Sequence, residues 1–247
     1  MSYGKALYEG KAKILYTTED PQVVVQYFKD DATAFNAQKR GTIIDKGVCN
    51  NRISAGLFTY LEGEGIRTHF IRQLDDRAML VKRLEIVPLE VTVRNIVAGG
   101  MARLLGIEEG RVLAQPVFEW HYKSDALGDP LINDDHILSM GWATAPELAH
   151  IRAESLKVNE ALKTFFRARQ IDLVDFKLEF GRAPEGLLLG DEISPDTMRL
   201  WEQGSRRKLD KDRFRRDLGS VEEAYQEVLR RVLGPAAVSQ SGAARVV

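Results

Sequence analysis

The 247-residue chain holds a single cysteine, Cys49, which excludes an intramolecular disulfide framework and a cysteine-rich zinc site. It also lacks an excess of either charge. Thirty-five Lys and Arg against 36 Asp and Glu leave a formal net charge of −1. That balance excludes a globally basic nucleic-acid binder, though not a local basic pocket. No run approaches the ~18 apolar residues of a membrane span, and Met1-Ser-Tyr-Gly-Lys5 has no apolar signal segment. A cytoplasmic protein that binds neither membrane nor nucleic acid is the expectation. No repeat is visible. The Walker A pattern and the G-x-S-x-G nucleophile elbow are both missing. The four histidines share no metal-like spacing, and His121 reads as a packed core residue.

What is present supports a folded enzyme-sized unit: 44% apolar residues suffice for a large core. Ala12–Thr17, Gln22–Phe28, Ile66–Arg72 and Ala78–Leu84 read as strands. Within Asp45–Gly65, Ile53, Leu57 and Leu61 recur at helical spacing, and Gly63 and Gly65 can stop the helix. Pro88, in Leu84-Glu-Ile-Val-Pro88, should break a ladder or mark a bend, so a lobe boundary is placed there. Leu89–Val97 and Val117–Lys123 read as strands, with a short helix or turn at Gly99–Leu105. Pro146–Gln170 is the clearest helix, its apolar face including Leu148, Ile151, Leu156, Val158, Leu162, Phe165 and Phe166. Ile171–Phe180 and Leu187–Gly190 read as a hairpin, and Ser220 with Glu223 as a capping box ahead of a helix through Leu233. The sum is α+β. A β-rich lobe spans 1–84, a larger α+β lobe 85–234, and a flexible tail 235–247.

Three constellations could carry chemistry. In Tyr8-Glu-Gly-Lys-Ala-Lys13, a strand beginning near Lys11 would put Lys11 and Lys13 on one face, and Gly10 would admit a ligand close to the backbone. That suits a triphosphate, though a solvated strand edge, where lysine is common, is the more frequent meaning of such a pair. In Leu173–Phe180, alternation aims Asp175, Lys177 and Glu179 one way and Val174, Phe176, Leu178 and Phe180 the other. A hairpin would bring Asp191 beside Glu179, a hard oxygen pair of the kind Mg²⁺ takes with phosphates. A cross-strand ion-pair ladder is the alternative. Finally, Arg94 ends a strand, Arg199 lies one turn into a helix opened by Ser194-Pro-Asp196, and Arg206–Arg216 is rich in cations, including Lys211 and Arg215. These could bind a phosphate monoester or form a solvated face. RNA is disfavoured because no aromatics interleave.

Taken in order, these pieces resemble the SAICAR synthetase family of purine biosynthesis. The likeness rests on Tyr8–Lys13, Phe28-Lys-Asp30 with Thr33-Ala-Phe-Asn36, Lys46-Gly47 with Asn50-Asn51, and Pro88-Leu-Glu90 with Val93-Arg-Asn95. It continues in Lys123–Pro130, Val174–Gly181, Gly190–Asp196 with Arg199-Leu-Trp201, and Asp210–Arg215. It covers about residues 6–233.

The resemblance implies a two-lobed fold with ATP in the cleft. It implies that ATP, L-aspartate and carboxyaminoimidazole ribonucleotide (CAIR) give SAICAR, ADP and phosphate through an acyl phosphate. It assigns Gly10, Lys11, Ala12, Lys13 and Lys123 to ATP, with Lys82, Leu84 and Ile86 bordering adenine. Glu179 and Asp191 would hold Mg²⁺, and Lys11, Lys13, Asp175 and Lys177 would serve catalysis. Arg94 and Arg199 would clamp the 5′-phosphate of CAIR, and Gly100, Asp129, Asp196, Lys211 and Arg215 would complete the substrate site. A homodimer is implied as well. One departure stands out: where relatives commonly show Ala-Gly-Ser and Lys-Arg, this chain has Ala98-Gly99-Gly100 and Arg103-Leu104. The lost hydroxyl would weaken phosphate binding or retune the substrate, as in ligases of C-nucleoside antibiotic pathways that use another heteroaromatic carboxylate. A non-catalytic nucleotide-binding protein is the remaining alternative.

Overall fold

The computed structural model describes residues 3–34 and 38–234. The expected tail, 235–247, and the Phe35-Asn36 part of one family-like stretch lie outside the described residues. The first part of the chain forms β1 (Ala6–Glu9), β2 (Lys13–Thr17), β3 (Val23–Phe28), β4 (Asp31–Ala34), β5 (Lys39–Thr42), α1 (Lys46–Gly63), β6 (Phe70–Gln73) and β7 (Ala78–Lys82). Five of these strands make an antiparallel sheet in the order β1–β2–β3–β7–β6, and β4 and β5 form a separate ribbon. Helix α1 packs on this sheet through Ile53, Leu57, Phe58 and Leu61, all fully buried. It ends as its glycines demand, with Gly65 in the left-handed region (φ 79°).

The second part contributes β8 (Glu85–Ile96), α2 (Gly99–Leu105), β9 (Val112–Tyr122), β10 (Leu131–Ile132), α3 (Asp134–Ser139), α4 (Ala145–Arg167), β11 (Ile171–Ala183), β12 (Gly186–Gly190), β13 (Met198–Glu202), α5 (Asp212–Arg215) and α6 (Val221–Leu233). The second sheet runs β10–β9–β8–β11–β12, with β13 also paired to β11. Strand β11 is its axis. One edge meets β8, while the other meets β13 along its first half and β12 along its second. Helix α4 covers this sheet with Leu148, Ile151, Val158, Leu162 and Phe166, each apolar side chain contributing about 1.5–3 kcal/mol on burial. The two sheets are stitched together where Thr68 bridges Leu189 in parallel and the His69 N–H donates to the Leu189 carbonyl at 2.9 Å. Helix α6 packs on α1, so one continuous core joins both parts.

Several local expectations need correction. Pro88 does not break β8. The β8–β11 register slips between Glu179 and Gly181, setting Ile86–Glu90 against a shorter stretch, so the proline falls in an irregularity that needs no N–H. Ser194-Pro-Asp196 opens a turn rather than a helix, closed by Thr197 N–H to the Ser194 carbonyl at 2.9 Å, and Arg199 lies on strand β13. The same Ser-Pro-Asp chemistry starts either structure, and the buried Leu200 and Trp201 favour the strand. Val174 does not share the face of Phe176, Leu178 and Phe180. A slip between Leu173 and Asp175 turns it onto Ala98 and Trp201, while Leu173 joins the main core. Ser220 precedes α6 but is left-handed (φ 47°) and makes no side-chain cap. Capping boxes form instead at α3, between Asn133 and His136, and at α4, between Thr144 and Glu147. Leu156 is exposed rather than part of the apolar face of α4.

Candidate active site

Between the sheets lies a cavity of ≈ 700 Å³, a size that suits a nucleotide-like ligand. Gly10, Lys11, Ala12 and Lys13 come from the β1–β2 turn, where the Gly10 N–H donates to the Lys13 carbonyl at 2.9 Å. Lys11 sits in this turn and only Lys13 starts the strand, yet both line the cavity. The connector between the sheets supplies Lys82, Leu84 and Ile86, and the opposite wall supplies Glu90, Lys177, Glu179 and Asp191. Lys123, Asp129, Asp196, Lys211 and Arg215 complete the lining.

Charges alternate across this space. The Lys13 ammonium pairs with Asp191 and lies 3.0 Å from Glu192. Burial works against its charge, but the two acids outweigh burial and hold it protonated. Lys11 reaches Asp125 on the facing loop at 2.7 Å. Lys123 donates to Glu179 at 2.6 Å, and Lys177 pairs with Glu90. Burial, then the charge of Asp191, pushes Glu179 up to about 7, whereas Lys13 overcomes burial and keeps Asp191 below the usual carboxylate range. The two buried carboxylates act on one another by charge, and each is held by a lysine, Glu179 by Lys123 and Asp191 by Lys13. Their donors are hard oxygens, so the pair fits Mg²⁺, which takes few protein ligands and completes its shell with water and phosphate. No larger His, Cys, Asp or Glu cluster suited to a metal occurs among the described residues.

A second cluster lies outside that cavity. Asp175 is the register partner of both Arg94 on β8 and Arg199 on β13. It accepts from Arg94 Nη1 at 2.7 Å and from Arg199 Nη1 at 2.9 Å. Arg94 continues to Glu119 at 2.8 Å; Arg199 continues to Asp212 at 2.9 Å, and Asp212 to Arg215 at 2.6 Å. Arg215 lines the cavity, so an alternating chain of charges joins the two clusters. The Gly99-Gly100 turn closes over the arginines. A Cβ on Gly99 (φ 52°) would lie 2.4 Å from Arg199 Nη2, whereas one on Gly100 would meet only Arg94 Nη2, at 3.8 Å. The glycine turn and both guanidinium groups therefore converge, while Asp175, Arg94, Arg199 and Gly100 do not line the ≈ 700 Å³ cavity.

Several participants were not found by sequence reasoning. Lys46 is fully buried, and its Nζ donates to Asp196 at 2.9 Å. Tyr225 Oη and Lys211 Nζ join the same carboxylate at 2.6 and 3.3 Å. Lys211 and Lys46 hold Asp196 ionised against its burial. A lysine in the first turn of a helix opposes the macrodipole, and that was the available signal for Lys46. Glu90 lies in the family-like Pro88-Leu-Glu90 stretch without an assigned role, and Gln26, which anchors the Asp191 carbonyl at 3.0 Å, is one amide among many.

A model of the SAICAR synthetase family matches residues 6–232. The phosphoribosylaminoimidazole-succinocarboxamide synthase of Clostridium acetobutylicum is 57% identical over 234 residues, covering 95% of this chain and all of the relative. The crystal structure of the Ehrlichia chaffeensis enzyme of that name superposes with a TM-score of 0.91 at 46% identity, covering 92% of this chain and 98% of the other. A SAICAR synthetase (Type-2) in complex with ADP superposes at 0.89 with 45% identity, over 92% and 97% of the two chains.

Proposed function

The chain belongs to the SAICAR synthetase family, and on that premise we propose that its cleft joins L-aspartate to the carboxylate of CAIR with ATP as phosphoryl donor. It is an ATP-dependent carboxylate–amine ligase of purine biosynthesis. The observation that carries the reading is the opposition of Lys11 and Lys13 to Glu179 and Asp191 across one cavity.

A carboxylate resists amines because its charge repels the nucleophile and oxide is a poor leaving group. In the proposed reaction a carboxylate oxygen of CAIR attacks the γ-phosphorus and ADP departs. The α-amine of aspartate then attacks the acyl carbon, losing a proton, and phosphate leaves with the former carboxylate oxygen. The reactants are all anionic, so the protein must bring like charges together and position them. The base lies against the connector Lys82–Ile86. Lys11 and Lys13 exchange their contacts with Asp125 and Asp191 for phosphate oxygens. Glu179 and Asp191 would hold Mg²⁺, which when bound neutralises and orients the phosphates. Lys177 and Lys123, each already on an acid of the wall, balance charge near the transferring group. Arg94 and Arg199 receive the 5′-phosphate under the Gly99-Gly100 turn, with Asp175 holding both in place. The Asp196, Lys211 and Arg215 corner and Asp129 bound the remaining substrate space.

Coupled measurement of ADP release tests the reading. Turnover is expected only when ATP, CAIR and aspartate are all present. Turnover with a different heteroaromatic carboxylate, and none with CAIR, overturns it.

A further inference from the structure

Within Arg206–Arg216, Lys211 and Arg215 line the cleft, whereas Lys208 and Arg216 do not. These two turn to one acid, Glu109, in the loop between α2 and β9. Arg216 Nη1 donates to Glu109 Oε2 at 2.8 Å, and Lys208 Nζ lies 3.7 Å from the same oxygen. The other oxygen, Oε1, accepts from the Gly99 backbone N–H at 3.1 Å. The loop is itself fixed beside the chain entering the glycine turn. Gly110 N–H donates to the Val97 carbonyl and Val97 N–H to the Arg111 carbonyl, both at 2.9 Å.

These contacts close a ring around Arg199. Gly99 stands against one side of the guanidinium, where a Cβ would collide with Nη2. Asp212 accepts from Arg199 Nε at 2.9 Å. Asp212 opens α5, and the Arg216 N–H at the end of that turn donates to the Asp212 carbonyl at 2.9 Å. The Arg216 side chain then returns to Glu109, and so to Gly99. Two consecutive glycines, one of them at φ 52°, have a wide choice of backbone conformations. Holding one conformation takes an outside contact. The Arg216 pair is half-exposed and contributes little to stability. A carboxylate on a backbone N–H is the stronger bond, so Glu109 orders the turn more than it stabilises the fold.

Resting on the reading of Arg94 and Arg199 as the clamp for a phosphate monoester, we propose that Glu109 is a positioning residue for substrate binding, whose carboxylate pins the Gly99-Gly100 turn to α5 and so fixes the Arg199 guanidinium in the geometry that receives the phosphate. Glu109 lies outside the cleft lining and acts through Gly99 and Arg199.

Steady-state kinetics on Glu109→Ala, Glu109→Gln and Arg216→Ala tests this, with the exposed neighbour Glu108→Ala as control. Glu109→Ala should raise KM for CAIR about tenfold through loss of one charge-assisted hydrogen bond, with kcat and KM for ATP little changed. Glu109→Gln should recover most of the loss, because its amide oxygen still accepts from Gly99. Arg216→Ala should raise KM for CAIR less, and add nothing when combined with Glu109→Ala, since it acts through the same carboxylate. A carboxylate acting by charge alone would repel the phosphate, and its removal would lower KM. A lowered or unchanged KM for CAIR, or equal rises for both substrates, overturns the proposal. Should Glu109→Ala not fold, Arg216→Ala decides by the same criterion. Inorganic phosphate separates this role from the assigned reaction: it should raise the melting temperature of the wild type more than that of Glu109→Ala. That difference without turnover of CAIR overturns the reaction and keeps the positioning role; equal phosphate responses overturn the positioning role.

Discussion

Arg94 and Arg199 come from strands on opposite edges of β11 and meet over one carboxylate, because Asp175 is the cross-strand partner of each. Two converging guanidinium groups, each also balanced by a second acid, Glu119 or Asp212, offer the forked donors that hold a phosphate monoester. Asp175→Asn keeps the shape and removes the charge. It should destabilise the protein by about 3 kcal/mol, as expected when a buried pair loses one partner. Inorganic phosphate should then raise the melting temperature of the variant more than that of the wild type, since bound anion replaces the missing charge. Equal responses in a melting assay would remove the phosphate role of this cluster.

The two glycines over those arginines should behave oppositely. Gly99 has φ 52° and no room for a Cβ, so Gly99→Ala must displace Arg199. A large rise in KM for CAIR is expected with ATP affinity little changed. Gly100 has open space, so Gly100→Ser should fold normally and place a hydroxyl near Arg94. One added hydrogen bond of about 1 kcal/mol would lower KM for CAIR about fivefold. Steady-state kinetics on both variants checks this, and a Gly100→Ser protein with unchanged KM would show that the turn does not touch the substrate.

Acid stability should depend on Glu147, which caps α4 and pairs with Arg182 at 2.6 Å. The Arg182 hydrogen bond lowers its carboxyl from 4.5 to about 2, against burial and with help from Thr144. The folded pKa is depressed, so the stabilisation is complete above pH 4.5 and is lost as pH falls toward 2. Glu147→Gln should cost about 1 kcal/mol at neutral pH through the weakened cap. Its urea midpoint should converge with that of the wild type at the acid end of that window. A constant gap between the two curves at every pH would assign the cost to packing.

The hairpin, the helix stop at Gly65, and the apolar faces of α1 and α4 were legible because each is set by residues a few positions apart. The errors were non-local. Pro88 is tolerated because β8 itself bulges there against β11, and Val174 changes face because it is the extra residue of β11 against β13. No property of residues 84–88 or 173–175 alone encodes either event. The lysine and acid residues of the cavity were visible as types. Their pairing across 178 residues, Lys13 with Asp191, and across 150, Lys46 with Asp196, is a product of topology.

The two lysines of the β1–β2 turn separate binding from folding. Lys11 forms an exposed pair with Asp125, and such pairs contribute less than about 1 kcal/mol. Lys11→Ala should therefore melt like the wild type while KM for ATP rises. Lys13 is buried between Asp191 and Glu192, so Lys13→Met strands two acids and should destabilise the protein by about 3 kcal/mol as well as abolish turnover. Divalent cation should restore much of that loss if Glu179 and Asp191 form a metal site, because the ion supplies the charge that Lys13 carried. The decisive quantity is the Mg²⁺-dependent gain in melting temperature, larger in Lys13→Met than in the wild type. If Mg²⁺ stabilises neither protein, the two carboxylates are partners of lysine alone, and the cation that balances ATP must be held by other groups.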